Sequence, residues 1–275
     1  MSGTNFLSEA EVAQFREQGY LIPKYKFSPV DVEELRVGIA SAIERFPQLT
    51  NLPLTTAHFP SYDEQGNDQS LMSFCLRDDL LDIIESLEGP DLVLWTTTVF
   101  HRPPVKGVAT PFHQDGEYWP ISPMTGSSAW IAVTPTRRAN GCMRVIPGSH
   151  RVLGEHVENS GDVFGTVLSP DAFDEAAAVD IELDPGQMLL FHPYLIHGSW
   201  PNTSDDPRTG FAVRYYASTS VFDLDGGAKM DDKTTTYDDR ALFLVRGVDR
   251  SGRNDFQRNH DFKLNNDLAR VERVS

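Results

Sequence analysis

The sequence predicts a mainly β fold, an antiparallel sandwich or jelly roll with α-helices at its N-terminal end. Short runs of β-branched and aromatic residues recur from residue 92 onward, at 92–100, 111–115, 127–134, 142–146, 187–192, 196–200 and 209–217. Turn sequences such as Ala-Asn-Gly, Pro-Gly-Ser and Asp-Pro-Gly separate these runs. Many short strands divided by such turns are typical of sandwiches and jelly rolls.

The N-terminal part of the chain predicts helices. A capping-box pattern at Ser8 and Glu11 begins a first helix that Gly19 ends, and a short strand follows at 20–23. Ser28 and Pro29 begin a second helix, because Ser caps and Pro suits the first helical position. Residues 80–87 predict a third. The apolar faces of the first two helices indicate that they cover a sheet.

These segments make one domain over residues 1–275. We divide it into a helical buttress at 8–90, a jelly-roll core at 91–218 and a C-terminal loop or lid segment at 219–275. Residues 50–75 are rich in Pro, Asn and Asp and predict a loop beside the site. Residues 220–240 are polar and predict either a lid or a surface loop.

The composition argues against several classes of protein. The chain has 275 residues, 40% of them hydrophobic, which is enough for one core. Its formal net charge of -16 argues against a nucleic-acid partner, because such proteins present clustered Lys and Arg. No apolar stretch reaches the length of a membrane span, and the N-terminus lacks the pattern of a secretory signal. We expect a cytoplasmic protein, a monomer or homodimer, with free thiols at Cys75 and Cys142.

The pair His113 and Asp115 is the first chemical signal. On an extended strand these side chains project to the same face, because successive side chains alternate. They supply two ligands for a divalent metal, and His197 on a later predicted strand supplies a third. Two histidines and one carboxylate form a facial triad with open coordination positions, which suits non-haem Fe(II) oxygen chemistry.

Arg208, eleven residues beyond His197, extends this signal. Its guanidinium is a fixed, charged fork that suits the far carboxylate of a dicarboxylic co-substrate. The residues therefore predict an Fe(II)- and 2-oxoglutarate-dependent oxygenase. Two alternatives stay open. Arg214 could replace Arg208 as the residue that binds the far carboxylate, and His192 could replace His197 as the third metal ligand. We expect the remaining histidines to be structural, pocket-lining or solvated: His150 in a turn, His101 beside the pocket, and His58, His156 and His260 in polar loops.

Three ordered motifs resemble the phytanoyl-CoA dioxygenase family of Fe(II)/2-oxoglutarate oxygenases. They are His113-Gln-Asp-Gly-Glu-Tyr-Trp-Pro120, Asn140-Gly-Cys-Met-Arg-Val-Ile-Pro-Gly-Ser-His150, and Phe191-His-Pro-Tyr-Leu-Ile-His-Gly-Ser199 running on to Arg208. The resemblance spans most of residues 8–218. It implies a double-stranded β-helix, which is a cupin-like jelly roll of two facing sheets with the metal near one open end.

The resemblance also implies roles for individual residues. His113, Asp115 and His197 would be the iron ligands and the catalytic centre. Arg208 and Ser199 would bind the distal carboxylate of 2-oxoglutarate, with further co-substrate contacts from Trp130, Thr98 and Gln114. Candidate contacts to the primary substrate are Trp119, Tyr118, Phe100, His101 and Arg102.

The implied reaction consumes O2 and 2-oxoglutarate, with ascorbate as an optional reductant, and releases succinate and CO2 while hydroxylating an unactivated C–H bond of a small metabolite. The intact Asp115 favours oxygenation over halogenation, because halogenating relatives carry a small residue there. The same cofactors also support desaturation, cyclisation, epimerisation or endoperoxide formation. A non-catalytic cupin-like metal-binding module is the alternative from another class, and it has no need of a dicarboxylate anchor. A zinc hydrolase is disfavoured, since no general base stands beside the triad.

Overall fold

The computed structural model describes residues 6–45, 54–55, 70–105, 107–158, 166–225, 237 and 240–258. The helices are α1 (Glu9–Gln18), α2 (Pro29–Arg45), α3 (Met72–Cys75) and α4 (Asp78–Glu88). None of them is long and apolar enough to cross a membrane. The strands are β1 (Tyr20–Leu21), β2 (Leu54–Thr55), β3 (Leu92–Arg102), β4 (Thr110–His113), β5 (Ile121–Ser122), β6 (Ser127–Ala132), β7 (Met143–Val145), β8 (His156–Glu158), β9 (Thr166–Leu168), β10 (Val179–Ile181), β11 (Met188–Phe191), β12 (His197–Ser199), β13 (Arg208–Ala217), β14 (Val221–Phe222) and β15 (Phe243–Arg246).

Two antiparallel sheets form the body of the protein. The larger has the order β1-β11-β6-β13-β3-β15, and β2 also pairs with β3. The smaller has the order β10-β7-β12-β4. Neighbouring strands are therefore distant in sequence, as expected of a jelly roll. This architecture confirms the predicted mainly β class with N-terminal helices.

Two of the apolar clusters formed by the described residues define the faces of the larger sheet. One contains residues of both sheets, such as Trp130, Leu189 and Val145, and therefore lies between the sheets. The other joins the opposite face of the larger sheet, through residues such as Val213, to helix residues such as Leu35 and Ile84. The helices thus cover the larger sheet, as the sequence predicts, and the inner face remains available for a site.

The helix ends follow the predicted chemistry. The Ser8 hydroxyl accepts from the backbone of Glu11, and the Glu11 carboxylate accepts from the backbone of Ser8, so both halves of the capping box are present. Gly19 closes α1 at φ 77°, a left-handed conformation that favours glycine. At α2, the Ser28 backbone donates to the Asp31 carboxylate in a similar arrangement.

Most predicted strands are present within a residue or two of their expected bounds, but two segments differ. Strand β4 ends at His113, and a 3-10 turn begins at Asp115. Gln114 between them keeps an extended backbone, so His113 and Asp115 still face the same side. The C-terminal segment 219–275, expected to be loop or lid, contributes β14 and adds β15 to the edge of the larger sheet. Most of 50–75 and much of 220–240 lie outside the described residues.

Candidate metal centre

His113, Asp115 and His197 meet at one end of the smaller sheet. His197 pairs directly with His113 across strands β12 and β4. The Nε2 atom of His113 lies 3.4 Å, and that of His197 3.8 Å, from Oδ1 of Asp115. All three residues are buried, and one ligand atom from each lies within 4.8 Å of the others. The triad predicted from the sequence is therefore assembled as a cluster that can hold a divalent metal.

Each histidine is oriented by the carbonyl two residues before it. Nδ1 of His113 lies 2.9 Å from the Pro111 carbonyl, and Nδ1 of His197 lies 2.9 Å from the Leu195 carbonyl. A carbonyl only accepts, so Nδ1 donates in both rings, and Nε2 is the atom that each ring directs to the cluster and that would bind a metal. Burial, reinforced by the neighbouring His113, lowers the pKa of His197 to about 4. This ring is therefore neutral at pH 7 and suited to bind a metal.

Arg214 stands beside the third ligand, a contact that the sequence analysis missed. Its Nε lies 3.6 Å from Oδ2 of Asp115, the oxygen turned away from the histidines. Burial alone would raise the pKa of Asp115, but the neighbouring His113 and the charge of Arg214 hold it below its usual range. The spacing of the two arginines could have indicated that Arg214 lies close to the site. Arg214 and Arg208 are six residues apart on β13, so their side chains share a face.

Arg208 lies on the same face of β13, against the ring of Trp130. The guanidinium carbon is 4.7 Å from the ring centroid, and only 2% of Arg208 is exposed. A Cβ at Gly210 would lie 1.9 Å from the indole, so glycine there makes room for the ring. The Nε of Arg208 has no hydrogen-bond partner among the described residues. A buried cation that has no counter-ion among the described residues fits an anion-binding site.

Ser199 and Thr98 are buried hydroxyl residues, one on each of the two sheets. Ser199 is buried on β12, two residues beyond His197, and its hydroxyl oxygen accepts a hydrogen bond from the Thr110 backbone at 3.3 Å. Thr98 is buried on β3, and its hydroxyl accepts from Nη1 of Arg214 at 2.8 Å. Thr98 is thus bonded to the arginine beside Asp115 rather than to Arg208.

Gln114 has a different role from the one the resemblance implies. Its amide nitrogen donates to the carbonyls of Val152 and Tyr194, at 2.9 and 2.6 Å. Its amide oxygen accepts from the backbone of Gly154 at 2.8 Å. These bonds occupy both donors and one lone pair, and the side chain is fully buried. We therefore do not retain Gln114 among the proposed co-substrate contacts.

Tyr118 and Trp119, expected to be either core or substrate wall, are buried in an aromatic cluster. The rings of Trp119 and Trp95 lie 4.9 Å apart, and Phe222 and Tyr237 from the C-terminal segment pack in the same cluster. The ring of Trp119 also lies 5.7 Å from the guanidinium carbon of Arg214. Through this contact the cluster reaches the neighbourhood of the triad.

The three candidate substrate contacts at the end of β3 do not all lie on the same face of the sheet. Phe100 pairs with Gly210 and Arg102 pairs with Arg208, so both share the face of the co-substrate candidates. His101 lies between them on the other face, where its Nδ1 contacts the Thr209 hydroxyl at 2.9 Å. The structure therefore does not bring His101 to the side of the triad.

The other described histidines are structural. Nδ1 of His192 accepts from the backbone of Tyr194, outside the triad. His150 occupies a turn, with its Nε2 3.2 Å from the Arg16 carbonyl. His156 is half-buried on β8, and its ring lies 5.9 Å from that of Tyr118, so its expected place in a solvated loop was wrong. His58 and His260 lie outside the described residues.

His192 predicts a pH dependence of stability. Burial lowers its pKa from 6.5 to about 4, and its unprotonated Nδ1 accepts the Tyr194 bond. Between pH 6.5 and 4 the unfolded chain binds the proton and the folded chain does not, so stability falls as the pH falls. We expect the metal-free protein to unfold at lower urea concentration at pH 5 than at pH 7. His192→Asn keeps an acceptor that does not titrate and should reduce this difference. An equal difference in both proteins would contradict the assignment.

Comparisons with known proteins agree with this fold. The profile of the family described as phytanoyl-CoA dioxygenase matches residues 4–210. The peroxisomal phytanoyl-CoA dioxygenase of Bos taurus is 26% identical over 231 residues, which cover 81% of this chain and 66% of the bovine protein. The chain thus spans slightly less than two thirds of that relative.

The 1-deoxypentalenic acid 11-beta-hydroxylase of Streptomyces exfoliatus is 28% identical over 70% of this chain and 74% of the hydroxylase. Among solved structures, the apo form of the non-heme monooxygenase ThoJ is 25% identical, with a TM-score of 0.71 and 96% of each chain covered.

Proposed function

This chain belongs to the phytanoyl-CoA dioxygenase family, and on that premise we propose that it is an Fe(II)- and 2-oxoglutarate-dependent dioxygenase that hydroxylates an unactivated C–H bond of a small metabolite. Succinate and CO2 are the co-products. The observation that carries the proposal is the buried cluster of His113, Asp115 and His197, with its ligand atoms within 4.8 Å of one another.

The donor set fits ferrous iron. Two neutral imidazoles and one carboxylate are the ligands of the facial triad found in non-haem Fe(II) oxygenases. The ion would be held by Nε2 of His113, Nε2 of His197 and a carboxylate oxygen of Asp115, since one ligand atom from each residue lies within 4.8 Å of the others. Bound Fe(II), together with 2-oxoglutarate and O2, supplies the oxidising power that an unactivated C–H bond requires, and ascorbate serves as an optional reductant.

The residues around the triad support the proposed co-substrate site. Arg208 offers its charge to the distal carboxylate of 2-oxoglutarate, and Ser199 adds a hydroxyl donor. Trp130 supports the guanidinium through the contact at 4.7 Å. Because all three are buried, water is largely excluded and the pairing of opposite charges is strengthened.

For the primary substrate we propose a small molecule held near Trp119, Tyr118 and Phe100. We further propose a cytoplasmic monomer or homodimer that binds neither nucleic acid nor membrane, as the acidic composition favours. Desaturation, cyclisation, epimerisation or endoperoxide formation are alternative outcomes with the same cofactors. We propose one domain, in which segment 219–275 adds an edge strand to the core.

The test is a screen of candidate metabolites for coupled release of succinate. The protein is incubated with Fe(II), 2-oxoglutarate and O2, and each candidate is compared with anaerobic and iron-free controls. We expect at least one metabolite to raise succinate release in the complete mixture alone, with a product heavier by one oxygen atom. Product formation that persists without iron or without 2-oxoglutarate would refute the proposed function.

A further inference from the structure

Two arginines face each other at the end of the proposed co-substrate site. Arg102 and Arg208 are directly opposed across strands β3 and β13. Like charges opposed in a sheet destabilise it, and burial adds a desolvation cost. Burial lowers the pKa of Arg208 to about 9 and that of Arg102 to about 10, and the two charges repel each other. Both nevertheless stay charged at pH 7.

No described residue supplies an anion to this pair. Among the described residues, neither Arg102 nor Arg208 forms an ion pair with a carboxylate, although the whole chain carries 40 acidic residues against 24 Lys and Arg. The pair is thus a local concentration of positive charge in an acidic protein. The distal carboxylate of a dicarboxylic 2-oxo acid would bring one negative charge to both arginines, whereas a ligand whose only carboxylate lies at the metal would leave both unpaired.

Arg102 is also linked to Ser199 through Thr110. Nη2 of Arg102 donates to the Thr110 hydroxyl at 2.5 Å, and Nη1 donates to the Trp200 carbonyl at 2.5 Å. The Thr110 backbone in turn donates to the Ser199 hydroxyl oxygen at 3.3 Å. This bond occupies a lone pair of Ser199, so its hydroxyl proton is directed elsewhere and is free for another acceptor.

We propose that Arg102 is a positioning residue that makes the site selective for 2-oxo acids with a second carboxylate. It adds a positive charge beside Arg208, and through Thr110 it orients the Ser199 hydroxyl toward the distal carboxylate. This moves Arg102 from the candidate contacts of the primary substrate to the co-substrate end. The inference rests on the proposed function, because the dicarboxylic ligand is 2-oxoglutarate.

The test compares two 2-oxo acids that differ in the distal carboxylate. Anaerobic Fe(II)-loaded protein is titrated with 2-oxoglutarate and with 2-oxobutyrate by calorimetry, which requires no turnover. We expect Arg102→Gln to weaken 2-oxoglutarate binding about tenfold or more and to leave 2-oxobutyrate binding nearly unchanged. Arg102→Lys keeps the charge and should recover part of the loss. Arg36→Gln, at an exposed position on α2, is the matched control.

A second variant separates positioning from folding. Thr110→Val keeps the backbone donor to Ser199 but removes the hydroxyl that Arg102 holds. We expect it to weaken 2-oxoglutarate binding about threefold to tenfold, again without effect on 2-oxobutyrate. It also tests the proposal if Arg102→Gln does not fold.

The outcomes distinguish the two proposals. Equal losses for both acids would show that Arg102 only ties the sheets together through Trp200, and unchanged binding of both would likewise overturn the inference. In either case, binding of 2-oxoglutarate by the wild-type protein leaves the proposed function intact. If the wild-type protein binds neither acid, the proposed function fails and the inference fails with it.

Discussion

His197→Ala is expected to abolish succinate formation, whereas His192→Asn should retain it. The Nε2 atom of His197 faces Asp115 at 3.8 Å, and no other described histidine besides His113 reaches that carboxylate. Loss of a residue behind the ligands typically costs about 10–100-fold in metal affinity or activity, so loss of a ligand should cost more. We expect His113→Ala and Asp115→Ala to be equally inactive.

Two measurements check this prediction. Succinate release reports activity, and iron retained after dialysis reports binding, so a ligand variant should lose both. His192→Asn is the matched control, because it changes a half-buried histidine five residues away that lies outside the triad. Normal turnover by His113→Ala or Asp115→Ala would end the assignment. An inactive His192→Asn that no longer binds iron would restore His192 as the third ligand.

Arg208→Gln is expected to raise the concentration of 2-oxoglutarate required for half-maximal rate by about 30-fold or more. Removing one partner of a buried, hydrogen-bonded charge pair costs about 2–5 kcal/mol, and about 1.4 kcal/mol corresponds to a factor of ten. Because Arg208 packs against Trp130 and is not a member of the triad, the iron content should be preserved. The kinetic effect should therefore appear chiefly in the co-substrate.

Arg214, the alternative anchor, provides the comparison for Arg208→Gln. Arg214 lies beside Asp115 and is bonded to Thr98, so Arg214→Gln should alter iron retention more than the 2-oxoglutarate requirement. Each variant is measured for both quantities, with Arg36→Gln as the surface control. An unchanged requirement in Arg208→Gln, with a raised requirement in Arg214→Gln, would transfer the anchoring role to Arg214.

The strands and the pair His113 and Asp115 could be predicted from the sequence because both depend on local patterns, whereas His197 was added through the ordered motifs of the family resemblance. The alternation that marks β3 and β13 also fixes which side chains share a face, and the ordered motifs place His113, Asp115 and His197 together. Strands of two to four residues, such as β1, β10 and β15, carry too few residues for a reliable alternation. The sequence therefore indicated only some of them, and the edge position of β15 was missed.

The contacts that the sequence did not reveal link residues far apart in the chain. The bonds of Gln114 to Val152 and Tyr194 join segments 38 and 80 residues away. The contact of Arg214 with Asp115 depends on how far the two sheets are separated, which no local pattern encodes. His156 was misplaced for the same reason, since its burial comes from packing against Tyr118 rather than from its neighbours in sequence.

The carbonyls of Pro111 and Leu195, each two residues before its histidine, hold both imidazole rings in place. The metal site is thus preorganised, and binding of the ion requires little rearrangement of the polypeptide. Such a site does not select iron over other divalent first-row transition metals, because nitrogen and oxygen donors bind nickel, copper and zinc more tightly than iron. Occupancy by iron is therefore governed by which ions the surroundings supply, and a preparation exposed to those competitors would be correctly folded yet inert.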